Sequence, residues 1–116
     1  MAVTSTAFRR LRAHDVIELM RRDDLTIFDM RDEATYTLGH LDGARCLSNR
    51  NLEHAILTTP RDKPVLVYCY HGNASQTGAQ TFVDFGFREV YDLIGGYESW
   101  LAAAGKAAGE PARSAS

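Results

Sequence analysis

The chain has 116 residues, 45% of them hydrophobic and 24% charged, with a formal net charge of −2 and a pI near 6.0. That length suits one globular domain with a single buried core and leaves no room for a second. The slight acidity gives no general attraction for nucleic acid or anionic membranes, although Arg9, Arg10 and Arg12 form a local basic cluster. No apolar run approaches the span of about 20 residues that a bilayer requires. The N-terminal MAVTSTAFRRLR carries no apolar core of a secretory signal. Two cysteines, Cys46 and Cys69, make no disulfide framework, and a reducing, cytoplasmic setting is the expectation.

Along the chain, strand and helix signals alternate. Residues 1–7 read as an N-terminal extension, and Phe8 to Leu11 as a short edge strand. Val16, Ile17, Leu19 and Met20 then recur at helical spacing up to the charged break Arg21-Arg22-Asp23-Asp24. LTIFDM, residues 25–30, is short, apolar and β-branched, as suits a buried strand. A helical or irregular stretch leads to the turn GHLDGA, residues 39–44, and Ala44 to Leu47 reads as another strand.

A polar segment with Pro60 and Pro64 precedes VLVY, residues 65–68, the clearest strand and the expected centre of the sheet. Ala79, Phe82 and Val83 share one face of the next helix, which Gly86 ends. Val90 to Leu93 reads as a strand and Gly95-Gly96 as a turn. Tyr97, Trp100, Leu101 and Ala104 mark a final amphipathic helix, with Trp100 in the core. Residues 105–116, poor in large apolar side chains, read as a flexible tail, so the domain spans 8–104. Such alternation implies an α/β fold with a mostly parallel central sheet and helices on both faces. Ligands in such sheets bind beyond the C-terminal ends of the strands, where Cys69 lies.

Cys69-Tyr70-His71-Gly72-Asn73-Ala74-Ser75 must reverse the chain between a central strand and a helix. A loop of this kind curls around its first residue, turning backbone N–H groups inward while the helix N-terminus adds its positive field. A thiolate is stabilised in such a nest, which makes Cys69 a nucleophile at physiological pH. Gly72 supplies the positive φ of a tight loop, Asn73 tolerates one, and Ser75 is the expected N-cap. Cys46, in a strand with no such loop after it, reads as a packing residue.

Two chemistries use a cysteine in an anion nest. Phosphatases of the C-x5-R type close the loop with an arginine that grips phosphoryl oxygens, but the sixth position after Cys69 is Ser75. A cysteine persulfide is also an anion and needs little beyond amide donors around its outer sulfur. Sulfur transfer is therefore preferred over phosphoryl or arsenate chemistry.

CYHGNAS resembles the active-site loop of the rhodanese family, in particular its small single-domain thiosulfate sulfurtransferases of the GlpE type. FDMRDEATYTLGHLDGARCL, residues 28–47, resembles the upstream signature through Asp29, Arg31, Tyr36, Gly39, His40, Leu41, Gly43 and Ala44, and IGGYESW, residues 94–100, resembles the downstream G-G-x-x-x-W element. Thr35 stands where the family often has Glu, and Ala74 where close relatives commonly carry Ser, which removes one side-chain hydroxyl from the loop. The resemblance implies a rhodanese-like fold without metal or organic cofactor. It implies sulfane-sulfur transfer from thiosulfate through a persulfide on Cys69 to a thiophilic acceptor: cyanide in vitro, and a dithiol or protein thiol, such as a thioredoxin-like protein, in the cell. A persulfide carrier of low turnover is the rival from another class.

The remaining candidates divide between chemistry and scaffolding. His71 reads equally as an acid or cationic neighbour and as a solvent-facing loop residue, and Tyr70 as pocket wall. Asp29 and Arg31, at the same sheet edge as Cys69, read more as a bracing pair than as an anchor for an anionic donor. His40, Asp42 and Gly43 read as a turn. His40, His54 and Cys46 lack metal-site spacing, and Arg50 and Arg61 read as solvent-facing.

Overall fold

The computed structural model describes residues 7–108, with side chains described through residue 103. Five parallel strands, β1 (Arg9–Leu11), β2 (Thr26–Asp29), β3 (Arg45–Cys46), β4 (Val65–Tyr68) and β5 (Val90–Leu93), form one sheet in the order β1-β5-β4-β2-β3. Between and after them come helices α1 (Ala13–Leu19), α2 (Glu33–Leu38), α3 (Leu52–Thr58), α4 (Ala74–Asp84) and α5 (Gly96–Ala108).

β4 is central, as its sequence predicts, and the two-residue period of a strand divides its side chains between two cores. Val65 and Val67 join Phe28, Ile56, Ala79, Phe82 and Phe87 on the face covered by α3 and α4. Leu66 and Tyr68 join Val16, Ile27, Leu41, Tyr91 and Leu93 on the opposite face, against which Trp100 and Tyr97 of α5 pack. Phe82 is fully buried; it stacks on Phe28 at a centroid distance of 5.2 Å and meets Phe87 edge-on at 5.0 Å.

α4 ends as Gly86 predicts. Gly86 takes φ +93°, its N–H donates to Val83 O at 3.0 Å, and the Phe87 N–H reaches back to Phe82 O at 3.1 Å. These two bonds satisfy the last carbonyls and aim Phe87 into the core.

Several expectations change. The segment read as polar before Pro60 contains α3, whose Ala55 and Ile56 are buried. Trp100 is half-buried at the margin of its core, and Leu101, expected on the inward stripe, is 53% exposed. Arg61 does not simply face solvent: its guanidinium donates to Ile56 O at 2.7 Å and Phe85 O at 3.1 Å and lies over the Phe87 ring. α5 runs through Ala108. Residues 1–6 of the N-terminal extension and residues 109–116 of the tail lie outside the described residues. Among the described residues, no helix is long and apolar enough to cross a membrane.

Candidate active site

The sheet topology brings the C-terminal ends of β2, β4 and β5 together, and Cys69 follows β4 at the centre of that edge. Its side chain is almost fully buried. The N–H groups of Gly72 and Ser75 both donate to Cys69 Sγ at 3.2 Å. Of the loop amides expected to turn inward, these two reach the sulfur itself. Asn73 and Ala74 line the cleft, and their N–H groups have no acceptor among the described residues.

Two glycines let the loop close this tightly. Gly72 takes φ +93°, and a Cβ there would meet the backbone nitrogen of Gly95 at 2.7 Å. Gly96 takes φ +64°, and a Cβ there would fall onto the carbonyl oxygens of Cys69 and Tyr70. That close approach allows the first turn of α5 to hold the loop. Tyr97 N–H donates to Cys69 O at 2.8 Å and Glu98 N–H to Tyr70 O at 3.3 Å. The Gly-Gly pair read as a turn thus also seats the start of the cysteine loop on a helix N-terminus.

Ser75 corrects its expected part. The N-cap of α4 is Asn73, and Ser75 lies inside the first turn, fully buried. Its hydroxyl donates to Asp92 Oδ2 at 3.0 Å. Asp92 is itself fully buried and accepts from Arg10 Nε at 2.9 Å and Arg10 Nη2 at 3.3 Å. Arg10 Nη2 also donates to Gly72 O at 2.8 Å. Sequence marked Arg10 only as part of a basic cluster and did not single out Asp92. The available signal was an acid in the middle of an otherwise apolar strand, VYDL, where burial demands a partner.

Asp29 and Arg31 pair with each other at this edge. Asp29 is fully buried and Arg31 nearly so, with Arg31 Nη2 2.6 Å from Asp29 Oδ2 and equally close to Gly39 O. Tyr68 Oη donates to Asp29 Oδ2 at 2.6 Å and accepts from Leu41 N–H at 3.0 Å. Burial, reinforced by the bond to Asp29, pushes the Tyr68 hydroxyl far above its ordinary range. The Arg31 guanidinium lies 4.0 Å from the Tyr97 ring centroid. This network ties β2, β4 and the turn after α2 together beside the cleft.

The cleft over Cys69 has a volume of about 820 Å³ and an apolar rim that includes Met30, Leu38 and Leu101. Tyr70, His71, Asn73 and Ala74 line it with Arg31, whereas Gly72 and Ser75 are buried and do not. His71 is exposed and pairs with Glu98, Nδ1 to Oε1 3.2 Å, with no hydrogen bond to Cys69. His40 stacks on Tyr36 and bonds to its carbonyl, within the turn expected of it. Thr35 completes the cap of α2, its hydroxyl donating to Asp32 Oδ1 at 2.7 Å. Cys46 is half-buried and its thiol donates to Arg31 O at 3.8 Å. Burial pushes that thiol up, and the charges of Asp29 and Glu33 push it further, away from thiolate reactivity.

Residues 12–103 match the model of the rhodanese-like domain. The chain belongs to the rhodanese family. It is 38% identical over 97 residues to the thiosulfate sulfurtransferase GlpE of Pseudoalteromonas translucida, covering 84% of this chain and 92% of that protein. It is 42% identical over 95 residues to the GlpE protein of Coxiella burnetii, covering 82% and 89%. Among solved structures it is similar to a rhodanese-related protein from Thermoplasma volcanium, with a TM-score of 0.72 at 25% identity over 83% of this chain and 93% of that one. The fold read from the sequence, parallel strands with helices on both faces, is the one this family shares.

Proposed function

We propose that the chain is a thiosulfate sulfurtransferase that works through a persulfide on Cys69. The observation that carries this reading is the buried Cys69 sulfur bonded by two backbone amides, in a cleft that Asn73 and Ala74 also line. In the first half-reaction the Cys69 thiolate attacks the outer sulfur of thiosulfate. A Cys–S–S bond forms, the bond between the two thiosulfate sulfurs breaks, and sulfite leaves with the electron pair. The negative charge then rests on the outer persulfide sulfur. In the second half-reaction a thiophilic acceptor, cyanide in vitro, attacks that sulfur and Cys69 leaves as thiolate.

Each residue of the site has a part in this scheme. The amides of Gly72 and Ser75 stabilise the inner sulfur before attack and after release, and the outer sulfur projects toward Asn73 and Ala74. Tyr70 and His71 form the cleft wall. Asp29 and Arg31 hold the edge rigid. The breadth of the cleft and its exposed Leu38 support a cellular acceptor larger than cyanide, such as a thioredoxin-like dithiol protein in the cytoplasm.

The test is intact mass before and after thiosulfate. A gain of one sulfur by the native chain and by Cys46→Ser, with none in Cys69→Ser, is expected. A Cys69→Ser chain that still gains sulfur would refute the assignment. The carrier reading predicts the same adduct but negligible steady-state thiocyanate formation.

A further inference from the structure

We propose that Arg10 and Gln76 form a clamp on the Gly72 carbonyl that fixes the Gly72–Asn73 peptide and so keeps the Asn73 N–H turned toward the reactive sulfur. The clamp rests on the persulfide reading above, and it assigns positioning residues to that reaction. Gly72 O accepts two side-chain donors, Arg10 Nη2 at 2.8 Å and Gln76 Nε2 at 3.1 Å. In a trans peptide the C=O and the following N–H point in opposite directions, and the described chain contains no cis bond. A carbonyl drawn toward Arg10 and Gln76 therefore sends the Asn73 N–H the other way. Asn73 borders the cleft with Cys69, and its N–H has no acceptor among the described residues.

The donors of the clamp are themselves aimed. Arg10 lies opposite Asp92 in the parallel register of β1 and β5, and Asp92 holds its guanidinium through two hydrogen bonds. The same carboxylate takes the Ser75 hydroxyl, so one buried acid orients both the clamp and the first turn of α4. Gln76 comes from that same turn. The restraint matters because the peptide starts at a glycine with φ +93°, where flips meet little steric resistance. A flipped peptide would present a carbonyl oxygen, not an N–H, to an anionic sulfur. Arg10 also precedes the residues that match the family model, which begin at residue 12.

The experiment is single-turnover sulfur uptake from thiosulfate, followed by intact mass at a temperature where near-ultraviolet circular dichroism shows every variant folded. Arg10→Met should take up sulfur about tenfold more slowly, and Gln76→Ala about threefold more slowly. Because either donor alone still restrains the carbonyl, the double variant should lose more than the product of the single losses, by about a further fivefold. Losses that simply multiply, or an Arg10→Met rate equal to that of the native chain, would overturn the clamp. A combined Arg10→Met, Asp92→Asn variant should stay slow. Recovery of the native rate there would mean that Arg10 serves only to neutralise Asp92, and would equally overturn it. If the native chain itself takes up no sulfur, the persulfide reading fails. The clamp is then judged by iodoacetamide alkylation of Cys69, where the same excess over the product is expected and its absence refutes the proposal.

Discussion

Replacing Gly72 by alanine adds one methyl group at a position where two separate costs can be read from the structure. The first is conformational: at φ +93° an L-residue is disfavoured by about 1–2 kcal/mol. The second is steric. The new Cβ would lie 2.7 Å from Gly95 N and 3.2 Å from both Gly96 N and Leu93 O, all backbone atoms that cannot swing aside. Relieving that overlap costs about 1–3 kcal/mol more, as overpacking does. It also moves the loop away from the start of α5. If the Gly72 N–H leaves Cys69 Sγ, a hydrogen bond to a charged group worth about 1.5–3 kcal/mol is lost, or about 10- to 150-fold in rate. Gly43→Ala supplies the control, since Gly43 has φ +80° but nothing within 4 Å of its Cβ direction. It should lose only the conformational part, a melting temperature lower by roughly 4–8 °C, with native activity. Thermal unfolding and initial rates of thiocyanate formation measure both. If the two variants match in melting temperature and in rate, the contact between the loop and residues 93–96 does not hold the nest, and the reasoning fails.

A covalent sulfur carrier should give parallel initial-rate lines at varied thiosulfate and cyanide, and converging lines would indicate a ternary complex instead. Asp29→Ala should cost about 3–5 kcal/mol in urea unfolding, because it strands the buried Arg31 guanidinium. Tyr68→Phe, which leaves Leu41 N–H without its acceptor, should cost about 1–3 kcal/mol in the same assay. The Thr35 hydroxyl and N–H hold the Asp32 carboxyl below its ordinary range. Its contribution to stability is thus present above the unfolded-state carboxylate value and lost as pH falls through the lower folded-state value. Asp32→Asn should flatten that part of the acid unfolding profile, and an unchanged profile would contradict the cap.

The cysteine loop was legible because its signals are local: an apolar strand, a glycine-bearing turn and a helical pattern follow one another within residues 65–83. Asp29 and Arg31 were legible for the same reason, being two residues apart at a strand end. What sequence missed is held together over distance. Arg10 meets Gly72 across 62 residues and Asp92 across 82, and no local pattern announces either contact. Ser75 looked like a cap because capping is the commonest use of a serine beside a helix start, but the buried acid of β5 takes its hydroxyl instead. α3 escaped because it is seven residues long, lacks a side-chain cap and buries just Ala55 and Ile56. Leu101 shows the opposite case: helical spacing marks it as inward, yet α5 presents it to the cleft.

The two ends of the sheet have a consequence for how the protein behaves at high concentration. A parallel sheet exposes unpaired backbone groups along its outermost strands, which is where another chain can add and begin an aggregate. Here those strands are three and two residues long, and their exposed positions carry Arg9, Arg10 and Arg45. An incoming strand would find too few backbone groups to pair with and would have to desolvate a guanidinium at once. Arg10 thus guards an edge while its guanidinium reaches inward to Asp92, so changes at this residue bear on solubility as well as on sulfur transfer.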